Sequence, residues 1–178
     1  MFVRVFGRRE KPRVLEHQST REIADLKKKI KTELKASIYF FDNSKFIICS
    51  IVGSSEYGKP IVLDMNTKDE VLGEALCDAL LRFKPQNIVG ETSDKASDWE
   101  AYIVSGEKIC KSFELKSTFI FVNTQNSALD ISACPRISNE KRLSAVCSVS
   151  THSLHIEIGS AIRKAIGASH ILREAGAL

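Results

Sequence analysis

Two nine-residue segments, one in each half of the chain, share a pattern that constrains the fold more than any other feature. Leu72–Leu80 and Ile158–Ile166 both read aliphatic-Gly-x-Ala-aliphatic-x-x-Ala-aliphatic, a spacing typical of an amphipathic helix. A glycine inside a helix costs about 1 kcal/mol relative to alanine, so a glycine at the same place in both segments requires a reason, such as close helix packing. The chain either contains two similar β-rich halves, each closed by a helix, or uses one packing solution twice, or repeats the pattern by coincidence.

Short apolar runs bounded by turn residues predict a mainly antiparallel sheet. Ile38–Phe41 and Phe46–Val52 flank a stretch of turn-forming residues and predict a hairpin. Phe119–Val122 and Leu129–Ala133 predict a second hairpin. Further strands are predicted at residues 2–6, Ile61–Leu63, Phe113–Leu115 and Val146–Val149.

Helical spacing predicts three or four helices packed on this sheet. Ile23, Leu26, Ile30 and Leu34 form the apolar stripe of the first helix. The second opens with a Thr67–Glu70 capping box and runs to Phe83, before Pro85; a short one follows Trp99, and the last spans about residues 154–173. We therefore expect one mixed α/β (α+β) domain over residues 1–178, a length that suits a single core.

Composition narrows the functional class. The net charge of +4 is uneven, because residues 1–35 carry eleven Lys/Arg and five Asp/Glu. Five cysteines without paired spacing are typical of a reducing compartment. No signal peptide and no apolar run of about 20 residues is found. These features predict a soluble cytoplasmic protein.

Motifs of known catalytic chemistry are missing from the sequence. Neither a phosphate-binding glycine loop nor a nucleophile elbow occurs. Cys110, between Lys108 and Lys111, is the best candidate for a cysteine nucleophile, and Cys147, His152 and His155 have spacing that only partly fits a metal site. We expect no enzyme activity, no cofactor and no metal, with a small cysteine-dependent enzyme kept as an alternative.

Protein binding is the function that the remaining features favour. A sheet with several edges offers unpaired backbone groups to a strand from a partner. An acidic segment followed by two aromatic residues has the composition of an interface, although a lone Trp is also typical of a core. The predicted contact residues are Glu91, Asp94, Asp98, Trp99 and Tyr102. The alternative is nucleic-acid binding through the basic N-terminal region, where Phe2, Arg4, Phe6, Arg8 and Arg9 interleave aromatic and basic residues.

Three stretches carry a resemblance to a known family. Tyr39–Phe46, Leu72–Leu76 and Ile158–Ile162 resemble those of immunity proteins from bacterial contact-dependent growth inhibition, in particular the group paired with nuclease toxins. The resemblance implies a cytosolic antitoxin that binds the C-terminal domain of its cognate toxin, at an expected ratio of 1:1. It also implies a mixed α/β fold, which in some members extends its sheet with a hairpin of the toxin. No membrane partner is expected.

Overall fold

One antiparallel sheet organises the protein. The computed structural model describes residues 18–30, 32–82, 99–135 and 144–175. Its strands are β1 (Lys35–Phe41), β2 (Lys45–Val52), β3 (Ser55–Asp64), β4 (Ser117–Gln125), β5 (Ala128–Cys134) and β6 (Ala145–Ser150), in the sheet order β3-β2-β1-β4-β5-β6. Its helices are α1 (Gln18–Ile30), α2 (Asp69–Leu81), α3 (Glu100–Ser105), α4 (Cys110–Lys116) and α5 (His155–Glu174). The predicted α+β fold with a mainly antiparallel sheet is confirmed.

The sheet has the same arrangement of strands on both sides of its centre. β1 pairs with β4 in the middle, and each continues through two further antiparallel strands to an edge. α2 follows the edge strand β3, and α5 follows the edge strand β6. The described chain therefore contains two β-β-β-α halves, as the repeated helix pattern suggested.

The two repeated glycines lie where α2 and α5 cross. A Cβ added at Gly73 would stand 2.0 Å from the backbone carbonyl oxygen of His155, and one added at Gly159 would stand 2.0 Å from that of Asp69. Each glycine thus faces the first turn of the other helix, and no other residue type fits. The Arg163 side chain strengthens the crossing, because its Nε donates to the Asp69 carboxylate at 2.7 Å.

Side chains alternate between the two faces of each strand, and an apolar layer covers each face of the sheet. One face of the sheet packs against α1, α2 and α5, with fully buried residues such as Ile38, Ile48 and Ile120. The opposite face carries a smaller aromatic cluster in which Tyr39, Phe41 and residues of β2 meet α3 and α4. Both layers are built on the period of two that strand residues follow.

Several sequence-based boundaries were wrong. Phe113–Leu115 belongs to α4, because the Phe113 N–H donates to the Ile109 carbonyl at 3.1 Å; three residues are too few to distinguish strand from helix period. Leu34 lies after α1, where its N–H donates to the Thr124 hydroxyl. β3 begins at Ser55, within a stretch that reads as a loop.

One further prediction from the sequence was wrong, and another lies outside the described residues. The predicted Thr67–Glu70 capping box is absent, since Lys68 caps α2 without a side-chain hydrogen bond. The strand predicted at residues 2–6 lies outside the described residues, as do Phe83 and Pro85.

Alanine substitutions at the helix glycines test the crossing. Gly73→Ala should lower the free energy of unfolding by about 2 kcal/mol or more, because its methyl group overlaps backbone that cannot rotate away. Gly167→Ala, in the same helix as Gly159 with nothing within 4 Å, should instead raise it by about 1 kcal/mol. Urea unfolding measures both, and equal stabilities of the two variants would contradict the close crossing.

Candidate protein-binding edge

β6 is one of the two edge strands of the sheet. β6 pairs with β5 from Ala145 to Ser150, and no strand within residues 18–30, 32–82, 99–135 and 144–175 pairs with its other side. Its sequence, AVCSVS, contains neither a charge nor a proline, and its register has no bulge. Natural edge strands usually carry such features to prevent pairing with other chains. β6 can therefore accept an added strand.

The opposite edge, β3, carries the protection that β6 lacks. Pro60 offers no N–H to a partner strand, and the register shifts opposite Cys49 as in a β-bulge. The Arg82 guanidinium donates to the Lys59 carbonyl at 2.9 Å. The charged side chains of Glu56, Lys59 and Asp64 also belong to this strand. Of the two edge strands, β3 carries these protective features and the described β6 does not.

A groove of about 490 Å³ runs beside β6, between this strand and α5. Cys147 and Val149 form its floor with Ala161, and the side chain of Ile156, 54% exposed, stands on its wall. The remaining lining residues are polar: Ser153, Glu157, Ser160 and Lys164. An added strand would place alternate side chains in this groove, where apolar residues find apolar contacts.

The predicted contact residues Trp99 and Tyr102 lie away from β6, in the aromatic cluster over β1 and β2. The Trp99 ring packs edge-on against Phe113 at 5.0 Å and against Tyr39 at 5.7 Å, and Tyr102 packs against Phe113 at 5.9 Å. Both are partly buried. Glu91, Asp94 and Asp98 lie outside the described residues. The patch stays a prediction.

Glu56 is the polar centre of this aromatic cluster. One of its carboxylate oxygens accepts hydrogen bonds from the Ser37 hydroxyl, at 2.5 Å, and from the Tyr39 hydroxyl. The other accepts from Trp99 Nε1 at 3.1 Å. Burial, and next the Glu56 charge, raise the pKa values of Tyr39 and Cys49 above their ordinary ranges. The cluster therefore holds protonated donors around one carboxylate and fixes α3 to the sheet.

The candidate cysteine nucleophile and the candidate metal ligands lie in different elements. Cys110 is the first residue of α4, and burial together with the Glu114 charge raises the pKa of its thiol. This favours the thiol over the nucleophilic thiolate. His155 is buried at the start of α5, while His152 is exposed. In the described ranges, no three metal-ligating side chains lie close enough to hold a metal ion.

Solved structures with the same architecture exist, whereas no protein-family model and no curated protein matches the chain. A chain of a CdiA-CT/CdiI toxin and immunity complex from Yersinia pseudotuberculosis matches with a TM-score of 0.58 and 16% identity, over 76% of this chain and 97% of that chain. A protein of unknown function from Neisseria meningitidis matches with a TM-score of 0.57 and 16% identity, over 77% and 95%. This chain shares their fold.

The shared fold agrees with the mixed α/β fold that the sequence resemblance implies. Separately, no helix among the described residues is both long and apolar enough to cross a bilayer.

Sequence reasoning missed the residues of the β6 groove. Ile156, Ser160 and Lys164 follow helical spacing on α5, but their position beside an edge strand depends on the sheet order. The one available signal is the uncharged β6 sequence, since edge strands usually carry charge. Glu56 was missed because its partners Ser37, Tyr39 and Trp99 come from distant parts of the chain.

Tyr39→Phe tests the Glu56 cluster through pH. At about pH 8 the variant should lose about 1–3 kcal/mol of stability, because it removes a hydrogen bond to a charged acceptor. Above the ordinary tyrosine pKa of 10.0, the wild type should lose stability as Tyr39 ionises in the unfolded chain but not in the folded one. The variant lacks this part of the loss, so the stability difference should shrink as pH rises.

Urea unfolding at about pH 8 and again above pH 10 measures the difference in stability between the wild type and Tyr39→Phe. Tyr57→Phe is the matched control, since the Tyr57 side chain is 39% exposed, and it should change stability little at about pH 8. A Tyr39→Phe difference that stays constant or grows above pH 10 contradicts the assignment.

Proposed function

We propose that this protein is an immunity protein that binds the C-terminal nuclease domain of a toxin delivered by contact-dependent growth inhibition. It acts in the cytosol as a stoichiometric antitoxin, at a ratio of 1:1, and catalyses no reaction. The observation that supports this most directly is the unprotected β6 edge with its adjoining groove. The fold shared with a chain of a toxin and immunity complex is consistent with it.

Binding proceeds by strand addition. A strand or hairpin of the toxin pairs with β6 and extends the sheet beyond its sixth strand. Backbone hydrogen bonds supply affinity, and the groove between β6 and α5 selects side chains. The β3 edge does not take part, because Pro60 and the bulge opposite Cys49 interrupt its backbone.

The acidic segment supplies a second contact in this proposal. Nucleases carry basic surfaces that approach nucleic acid, and opposite charge on an inhibitor accelerates association. Glu91, Asp94 and Asp98 would provide that charge. Trp99 fixes the end of the segment, since its indole nitrogen donates to Glu56.

A substitution that fills the groove tests the mode of binding. Ser160→Trp should weaken toxin binding at least about tenfold, because the indole occupies the space for the added strand. Glu74→Trp is the matched control, since Glu74 stands one residue after Gly73 as Ser160 stands one residue after Gly159. Calorimetry against the toxin domain encoded beside this gene measures affinity, and growth of toxin-expressing cells measures protection.

Two results would overturn the proposal. Equal affinity of Ser160→Trp and Glu74→Trp for the toxin domain excludes the β6 groove as the binding site. Absence of any 1:1 complex with the toxin domain excludes the immunity function, and affinity for nucleic acid that falls steeply between about 50 and 200 mM salt would support the nucleic-acid alternative.

A further inference from the structure

The groove runs along the middle of β6. The lining residues on α5 run from Ile156 to Lys164, which at about 1.5 Å per helical residue gives roughly 12 Å. β6 runs from Ala145 to Ser150, and at about 3.4 Å per residue its five steps give roughly 17 Å. A strand added to β6 therefore lies beside the groove at the middle of β6, where Cys147 and Val149 line it.

The two ends of the groove differ in chemistry. Because α5 returns antiparallel to β6 after the turn at Thr151, Ser153 and Ile156 lie beside the Val149 end, and Lys164 lies toward the Ala145 end. Ile156 with Val149 and Cys147 makes the first part apolar. The Lys164 end carries a positive charge.

The groove carries one carboxylate, that of Glu157, and one ammonium group, that of Lys164. The Glu157 carboxylate already accepts the Leu154 N–H at 2.9 Å, and the neighbouring Arg163 is paired with Asp69. No carboxylate in the described part of the chain pairs with Lys164. Its ammonium is available to a charge on the incoming strand.

We propose that the strand accepted by this groove carries apolar side chains at two alternate positions, followed two residues later by Asp or Glu. The apolar residues lie opposite Val149 and Cys147, and the carboxylate reaches Lys164 near Ala145. The order follows from antiparallel addition, the direction of every other pair in the sheet. This inference rests on the proposed function and names the chemistry of the partner strand.

The carboxylate requirement removes an apparent conflict of charge. The chain has a net charge of +4, whereas inhibitors of basic nucleases are commonly acidic. An acidic residue on the contacting strand of the toxin makes the positive charge of Lys164 favourable at that point. Selectivity then arises locally, within one strand, and not from the net charge of either protein.

Synthetic peptides test this chemistry without the toxin. A fluorescein-labelled peptide containing Val-Thr-Val-Thr-Glu is compared with one ending in Lys and with a scrambled peptide of the same composition, by fluorescence anisotropy and by amide NMR shifts. The Glu peptide should bind about fivefold more tightly than the Lys peptide. Shift changes should concentrate on β6 and the first half of α5.

Lys164→Glu should invert this preference, and Asp78→Lys, at the corresponding position of α2, should leave it unchanged. Equal binding of the Glu and Lys peptides, binding of the scrambled peptide as tight as that of the Glu peptide, shifts confined to β3, or a preference that Lys164→Glu does not alter would each overturn the inference.

The inference and the proposed function fail separately. If the toxin domain is neutralised by the wild type and by Lys164→Glu alike, the acidic strand is wrong while the immunity function stands. If the Glu peptide binds as described but the toxin domain forms no complex, the groove chemistry stands and the immunity function is wrong.

Discussion

The backbone contact between α2 and α5 fixes the rest of the architecture. At both Gly73 and Gly159 an added Cβ would stand only 2.0 Å from the facing carbonyl oxygen, so the helices meet at a distance that only glycine permits. The contact holds α5 against α2, while α5 packs mainly over β6 and β5. Since residues turn by about 100° along a helix, Ser160 and Lys164 point away from this contact and line the groove beside β6.

The two similar halves of the fold end in different edges. Pro60 and a bulge interrupt the backbone of β3, and the Arg82 guanidinium donates a hydrogen bond to the Lys59 carbonyl of this strand. β6 has none of these features. The aromatic cluster around Glu56 adds a second layer over β1 and β2, which holds α3 in place. The difference between the two edges is the reason that the proposed binding is assigned to β6.

Local patterns predicted most of the elements but not the candidate site. The hairpins of β1–β2 and β4–β5 and the helix α5 follow from period and turn residues, which act within a few positions. The helix α4 was missed because only Phe113 of its short sequence is fully buried. The groove and the Glu56 cluster depend on strand order and on contacts between distant residues, which no local pattern encodes. The function of the acidic segment stays a prediction.

Hydrogen exchange of the β6 backbone, followed by mass spectrometry, tests the central claim most directly. In the free protein, peptides covering residues 145–150 should exchange faster than those of β1 and β4, whose strands are paired on both sides. In the complex with the toxin domain, the exchange of β6 should slow strongly while that of β3 stays unchanged. Protection that appears on β3, with β6 exchanging as in the free protein, would contradict the account.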